Sequence, residues 1–354
     1  MGQEKSACSA CGEPTFASEK FCEACGQPLT AEAAAQVQQS TAAVTPTATE
    51  VPAESAPASE GSCSFCGEPI NDEYCTACGA QRKVPARDHV EVELPGIAGV
   101  SDRGKRHTRN EDAMRVAVVP ERQAVVAVVS DGMSTAQNSD IASQLACDAA
   151  CAHLVAALQA GSDLEDLEEA MREAGAVAQA AVCSVAYNKE EAERNERRCA
   201  PAASFSAIVA LAGKLVVGNI GDSRSYFVGR TSATQLSEDD SWAAEQVRNG
   251  RMTEPEAMAH KLAHSLMQWL GNDNEPVCRV KTVDVTEDGH ALVVSDGFWN
   301  YAGAPAAVAA QLQKLPAEAS ALQIAGALTE FANDAGGHDN ITVVVVPLLA
   351  AAKD

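Results

Sequence analysis

Three apolar runs that read as buried strands, residues 125–129, 215–220 and 291–294, each lead directly into an aspartate: Asp131, Asp222 and Asp296. Two more acidic motifs, Asn110-Glu111-Asp112 and Asp339-Asn340, flank them along the chain. A carboxylate at the end of a buried strand is costly unless something offsets its desolvation. Several such ends brought together make an all-oxygen pocket, the ligand set that hard divalent cations such as Mg²⁺ and Mn²⁺ choose. The fold must therefore gather strand ends, and the gathered ends predict a multi-metal hydrolytic site.

The N-terminal part is built differently. Eight of the 13 cysteines form four Cys-x-x-Cys pairs within the first 78 residues. Each pair runs into glycine, as in Cys11-Gly12 and Cys78-Gly79, where a thiolate-binding knuckle needs a positive φ. Cys8, Cys11, Cys22 and Cys25 are expected to close one structural Zn²⁺ site, and Cys63, Cys66, Cys75 and Cys78 a second. A thioredoxin-type redox pair is disfavoured because no βαβ pattern surrounds these cysteines. The expected organisation is a zinc ribbon over 1–30, a flexible Ala/Thr/Pro/Ser-rich linker over 31–60, a second ribbon over 61–82, a connector over 83–95 and a catalytic domain over 96–350. The other cysteines, Cys147, Cys151, Cys183, Cys199 and Cys278, sit in mostly apolar contexts and read as core residues.

A formal net charge of -23 argues against nucleic acid as a partner, and residues 1–89 share the bias with 12 acidic and 5 basic side chains. That also disfavours a nucleic-acid role for the cysteine modules. No uninterrupted apolar run reaches the roughly 18 residues of a membrane span, so no membrane partner is expected. The first residues are polar and cysteine-containing, which predicts no secretory leader and a cytoplasmic location.

Within 96–350, residues 114–119 and 123–130 predict a hairpin turning near Pro120-Glu121-Arg122. Helical periodicity covers 138–158 and 164–187. Three consecutive strands are expected at 205–211, 214–220 and 224–228, and helical pieces at 241–264. A second hairpin is expected from 280–285 and 290–295 around Asp288-Gly289. Alanine-rich helices follow over 305–332, then a last strand at 341–346. Clustered strands and paired helices indicate an α+β architecture of sheet packed on sheet, covered by helices.

The motifs, taken in order, resemble those of the metal-dependent type 2C (PPM) serine/threonine protein phosphatases. Ser101-Asp102-Arg103-Gly104 with Asn110-Glu111-Asp112-Ala113 is similar to that family's first motif, and Asp131-Gly132-Met133 to its second. Val217-Gly218-Asn219-Ile220-Gly221-Asp222-Ser223-Arg224 is similar to the central one. Ser295-Asp296-Gly297-Phe298-Trp299 and Gly336-Gly337-His338-Asp339-Asn340-Ile341-Thr342 are similar to the last two. The resemblance spans residues 97–347 and implies a four-layer αββα sandwich with two, or with a weaker third ion three, Mn²⁺ or Mg²⁺ between the sheets. It implies that Asp131 bridges two ions while the Gly132 carbonyl binds the first. It further implies that Asp296 and Asp339 hold the second, that Asp222 with Asp296 holds the third, and that Glu111 and Asp112 orient waters.

This sequence departs from the pattern in three places, one of them an aspartate where histidine is common in Asp239-Asp240-Ser241-Trp242. The phosphate-binding arginine expected four residues before the motif's glutamate is His107 here. In an extended segment His107, Arg109 and Glu111 share a face, so either Arg109 or His107 is a candidate to bind substrate phosphate. Ser134-Thr135-Ala136 replaces the family's Gly-Gly-His. The expected function is hydrolysis of phosphoserine and phosphothreonine in proteins, with an unknown protein partner for the ribbons. The alternative is a catalytically weak phosphatase fold that recognises phosphorylated partners.

Overall fold

The structure, a computed structural model, describes residues 5–7, 14–16, 87–194, 199–272 and 274–350. The chain divides into two compact units, Met1–Arg82 and Lys83–Asp354. In the first, strands β1 (Lys5–Ala7) and β2 (Pro14–Phe16) pair antiparallel, with Lys5 opposite Phe16. All eight cysteines of the expected ribbons and the linker between the ribbons lie outside the described residues.

The second unit begins with β3 (His89–Leu94), β4 (Ile97–Asp102), β5 (Asp112–Val119) and β6 (Ala124–Asp131), followed by helices α1 (Ser139–Ala160), α2 (Leu164–Cys183) and α3 (Lys189–Arg194). Strands β7 (Ala202–Ala203), β8 (Phe205–Leu211), β9 (Lys214–Ile220), β10 (Arg224–Gly229) and β11 (Ala233–Gln235) lead to the short helices α4 (Trp242–Arg248) and α5 (Glu254–Met258). Then come β12 (Leu270–Gly271), β13 (Arg279–Asp284) and β14 (Gly289–Val294). Helices α6 (Asp296–Ala302), α7 (Pro305–Leu312) and α8 (Ala321–Ala335) and strand β15 (Ile341–Leu348) complete the unit.

The strands form a six-stranded sheet, β11-β10-β14-β15-β4-β3, and a five-stranded sheet, β13-β9-β8-β6-β5. Their pairings are antiparallel. The period-2 geometry of a strand gives each sheet two apolar faces. In β6, Val126 and Val128 join one cluster with Leu154, Leu167 and Met171 of α1 and α2. Ala127 and Val129 point the other way and meet Ile97, Phe227 and Val344 of the six-stranded sheet. On that sheet's other face, Tyr226 and Leu292 pack with Phe298 and Leu328 from α6 and α8.

Two expectations change, and a third feature needs explanation. Residues 280–285 and 290–295 do form strands, but not a hairpin: β13 pairs with β9 in one sheet and β14 with β10 and β15 in the other. Val285, buried between them, belongs to the cluster shared by both sheets, and its burial carries the chain across. The connector expected over 83–95 contains β3, an edge strand whose polar His89 and charged Glu91 and Glu93 blunt the sheet edge. Finally, α1 is long and apolar enough by length and composition to span a bilayer, at a mean hydropathy of 1.5. It is a core helix nonetheless, with Ala142, Ala146, Ala150 and Leu154 wholly buried in the cluster beneath the five-stranded sheet.

Candidate active site

The acidic motifs meet where the chain leaves one sheet for the other or ends a strand. Asp112 opens β5 and Asp131 closes β6, and the register sets them directly opposite each other. Like charges in such a pair are destabilising, so local propensity does not explain the arrangement. Asp222 lies in the Gly221-Asp222-Ser223 link by which the chain passes from β9 to β10, from the five- to the six-stranded sheet. Asp296 opens α6 immediately after β14, and Asp339 immediately precedes Asn340 and β15.

Asp131 is ringed by Asp112, Asp296, Asp339 and Asp222; burial first, and then those four charges, holds its pKa well above the ordinary carboxylate range. Burial likewise raises Asp222, with Asp296 adding to it. Asp112 is pushed up to about 7 by burial, against the hydrogen bonds from Ser295 and Thr342. Asp296 is pushed up to about 6 by burial and by Asp339. Two carboxylate oxygens here, Asp112 Oδ1 and Asp296 Oδ1, are buried without a hydrogen-bond partner. A buried unpaired carboxylate oxygen is expensive, and a hard cation is the partner that suits it. Among the described residues, no three His, Cys, Asp or Glu side chains alone enclose an ion. Water, backbone carbonyl or phosphate oxygens must complete any ligand set, the habit of Mg²⁺ sites. The donor chemistry thus fits divalent cations.

Neighbouring backbone is held tightly. A Cβ on Gly132 would stand 2.4 Å from Ser139 O and 2.7 Å from Glu111 O, so only glycine lets the turn after Asp131 lie against the Glu111 strand. Asn340, 2% exposed, accepts from the Glu111 N–H at 2.7 Å and donates to Arg103 O at 2.8 Å and Arg109 O at 3.0 Å. Its one side chain staples the whole 103–111 crossing loop. Thr342 Oγ1 donates to Asp112 Oδ2 at 2.8 Å. Ser204 donates its N–H to Asp131 O at 2.8 Å and accepts the Asp131 N–H on Oγ at 3.0 Å, while its Oγ meets Ser223 Oγ at 2.7 Å. Sequence reasoning passed over Asn340, Thr342, Ser204 and Ser223 as functional residues. The available signal was small hydroxyl and amide side chains embedded in runs that are otherwise fully buried.

Glu111 is 4% exposed, and its Oε1 accepts from Arg109 Nε at 2.9 Å and Nη2 at 2.7 Å and from Ser139 Oγ. Arg109 also lies 3.7 Å from Asp140. His107 sits between two acids, with Nε2 3.2 Å from Asp339 Oδ1 and Nδ1 3.8 Å from Glu111 Oε2. His107, Arg109 and Glu111 therefore do share a face, but the Arg109 fork is engaged by Glu111, and the His107 ring lies beside Asp339. Nearby, His260 stacks on Trp242 and His264 on Trp299. A cavity of about 310 Å³ opens behind the Arg224–Asp239 ion pair, lined also by Arg248, Val247 and Met258; none of the five clustered carboxylates lines it.

The family model described as protein phosphatase 2C matches residues 101–336. The serine/threonine phosphatase stp of Listeria welshimeri is 28% identical over 256 residues, covering 70% of this chain and 93% of that protein. The serine/threonine protein phosphatase PstP of Mycobacterium tuberculosis is 30% identical over 253 residues, 71% of this chain and 45% of that protein. A solved structure of the PstP catalytic domain in complex with two manganese ions superposes with a TM-score of 0.55 at 26% identity, covering 72% of this chain and 97% of that one.

Proposed function

This chain belongs to the protein phosphatase 2C family and is a metal-dependent protein serine/threonine phosphatase, and from that premise we propose which of its residues carry the reaction. The observation that carries the assignment is Asp131 at the end of a buried strand, surrounded by Asp112, Asp222, Asp296 and Asp339. Asp131, the Gly132 carbonyl, Asp296 and Asp339 would hold two Mn²⁺ or Mg²⁺ ions, as many as the manganese in the PstP complex, and Asp222 with Asp296 would offer a third position. Bound ions supply charge relief on the phosphoryl group and lower the pKa of water. Glu111 and Asp112 accept hydrogen bonds from water and orient it toward phosphorus. Arg109 fixes Glu111 through two hydrogen bonds to its Oε1. His107, held by Asp339 and Glu111, stands where it can donate to a phosphate oxygen of the phosphoserine or phosphothreonine.

The three apolar clusters support a four-layer αββα sandwich around this site. Two structural Zn²⁺ ions held by the eight N-terminal cysteines, in modules that bind a protein partner, complete the reading. Its support is the Cys-x-x-Cys spacing and the antiparallel pairing of β1 with β2, which precede and follow Cys8 and Cys11 in the sequence. Thiolate metal ligands suit a reducing compartment, which supports a cytoplasmic location. A phosphate-sensing fold without turnover is not favoured, because Asp131, Asp222, Asp296 and Asp339 are all retained.

The test is turnover of a phosphothreonine peptide with and without Mn²⁺, for the parent chain and Asp131→Asn. The variant should stay folded by circular dichroism and lose most activity, since a neutral amide would hold divalent cations far more weakly than a carboxylate. Full turnover by Asp131→Asn in Mn²⁺ would overturn the assignment.

A further inference from the structure

Trp299 lies one helical turn beyond Asp296 on α6, is 4% exposed, and donates its indole N–H to the backbone carbonyl of Asp222 at 2.8 Å. One hydrogen bond thus ties the loop carrying Asp222 to the helix that opens with Asp296. The ring is itself held. Arg224, two residues after Asp222, lays its guanidinium over the indole at 3.7 Å from the centroid. Arg224 is fixed by Asp239 through Nε at 3.0 Å and Nη2 at 2.7 Å, with their side chains only 12% and 8% exposed. Its Nη1 also reaches Gly303 O, at the far end of α6, at 3.4 Å. A bidentate, nearly buried guanidinium is a rigid support, because its planar fork leaves few alternative geometries. The cost of burying it is repaid only with both partners in place.

We infer that Trp299, backed by the Arg224–Asp239 pair, is a positioning residue that sets the separation of Asp222 from Asp296 and so the affinity of the ion these two share. The inference rests on the reading above that Asp222 and Asp296 hold a common divalent cation. Trp299 touches neither ion nor substrate in this role. It acts by fixing a carbonyl, and the carboxylate on the same residue follows. Outer partners of this kind typically change metal affinity by about 10–100-fold when removed.

Mn²⁺ titration calorimetry on the full chain, with phosphothreonine-peptide kinetics at graded Mn²⁺, tests the inference. Trp299→Phe keeps an aromatic face for Arg224 but removes the N–H. We expect roughly tenfold weaker binding of the weakest Mn²⁺, a matching rise in the Mn²⁺ needed for half-maximal kcat, and an unchanged peptide KM. Asp239→Asn, which loosens Arg224 without touching the indole, should move the same quantities the same way. Asp222→Asn is the benchmark and should lose the weakest ion. If Asp222→Asn loses that ion while Trp299→Phe titrates like the parent, or merely melts earlier with Mn²⁺ affinity unchanged, the positioning role is refuted and the site assignment stands. If Asp222→Asn itself titrates like the parent, the shared ion and the positioning role fall together. Should Trp299→Phe not fold, Asp239→Asn decides by the same readings.

Discussion

Replacing Asp112 by asparagine should make the cation-free protein more stable above neutral pH while impairing it as an enzyme. Asp112 is 2% exposed, and its carboxyl is raised from 3.8 to about 7, chiefly by burial. A folded-state pKa above the unfolded value means that the folded chain binds more protons between these two pH values. Its stability therefore falls as pH rises through that window. At about 1.4 kcal/mol per pH unit, the displacement corresponds to at most about 4 kcal/mol at pH 8. Less than that is recovered on substitution, because neutralising one carboxyl lets Asp131 and Asp296 ionise more readily. An asparagine oxygen can still accept from Thr342 Oγ1, and its amide N–H groups would replace the orphaned Oδ1 with donors facing the surrounding carboxylates. For a domain of this size we expect Tm to rise by roughly 5–10 °C in EDTA at pH 8. No such gain is expected at pH 5, where Asp112 is already protonated in the parent. Saturating Mn²⁺ should cancel or reverse the gain, since the parent then gains more from binding, and phosphopeptide turnover should fall. Differential scanning calorimetry at the two pH values, with EDTA or Mn²⁺, reads all of this. An Asp112→Asn protein that melts at or below the parent in EDTA at pH 8 would refute the argument that this carboxylate is a buried charge awaiting a cation.

Three further outcomes are expected. His107→Ala should raise KM for a phosphothreonine peptide about tenfold or more, whereas Arg109→Ala should lower kcat with a smaller effect on KM, because it releases Glu111; the opposite pattern in steady-state kinetics would return the phosphate contact to Arg109. His89 is raised above 6.5 by its hydrogen bonds to Asp102 and then Glu91, so the stability it adds is fully present below 6.5 and fades as pH rises through the raised value. Being half exposed, it is worth no more than about 0.5 kcal/mol, and thermal melts of His89→Gln and parent should differ slightly at pH 6 and converge near about pH 9. A chain beginning at Lys83 should keep peptide phosphatase activity and lose about two zinc equivalents by elemental analysis. One beginning at Val90 should be less active and less stable. It lacks Arg87, whose guanidinium donates to Asp140 O at 2.6 Å and whose carbonyl accepts from Asn110 at 3.0 Å, and Asp88, whose carbonyl accepts from Arg103 at 2.7 Å.

Most individual elements were legible in the chain because their information is local. The β8–β9 hairpin is written in two apolar runs joined by Ala212 and Gly213, both at positive φ as a two-residue turn requires. The acidic motifs stood out because aspartate after a buried run has few cheap explanations. The β3 strand alternates strictly over His89–Leu94, but it is short, mostly exposed and on an edge, where one neighbour and partial burial suffice, so its pattern resembles a solvated connector. Which strand joins which sheet was not legible: β13 and β14 look like a hairpin, yet they separate because each buries its apolar face against a different partner. The site shows the same division. Sequence alone indicated that Asp131, Asp222 and Asp296, each following a buried run, would need a partner to offset their desolvation. Only the tertiary structure decided that Arg109 grips Glu111, that His107 lies against Asp339, that Ser204 clamps Asp131, and that Trp299 ties Asp222 to α6. Those contacts join residues far apart in the chain, and they follow from sheet pairing and helix docking, whose energies belong to pairs of distant surfaces and not to any one segment.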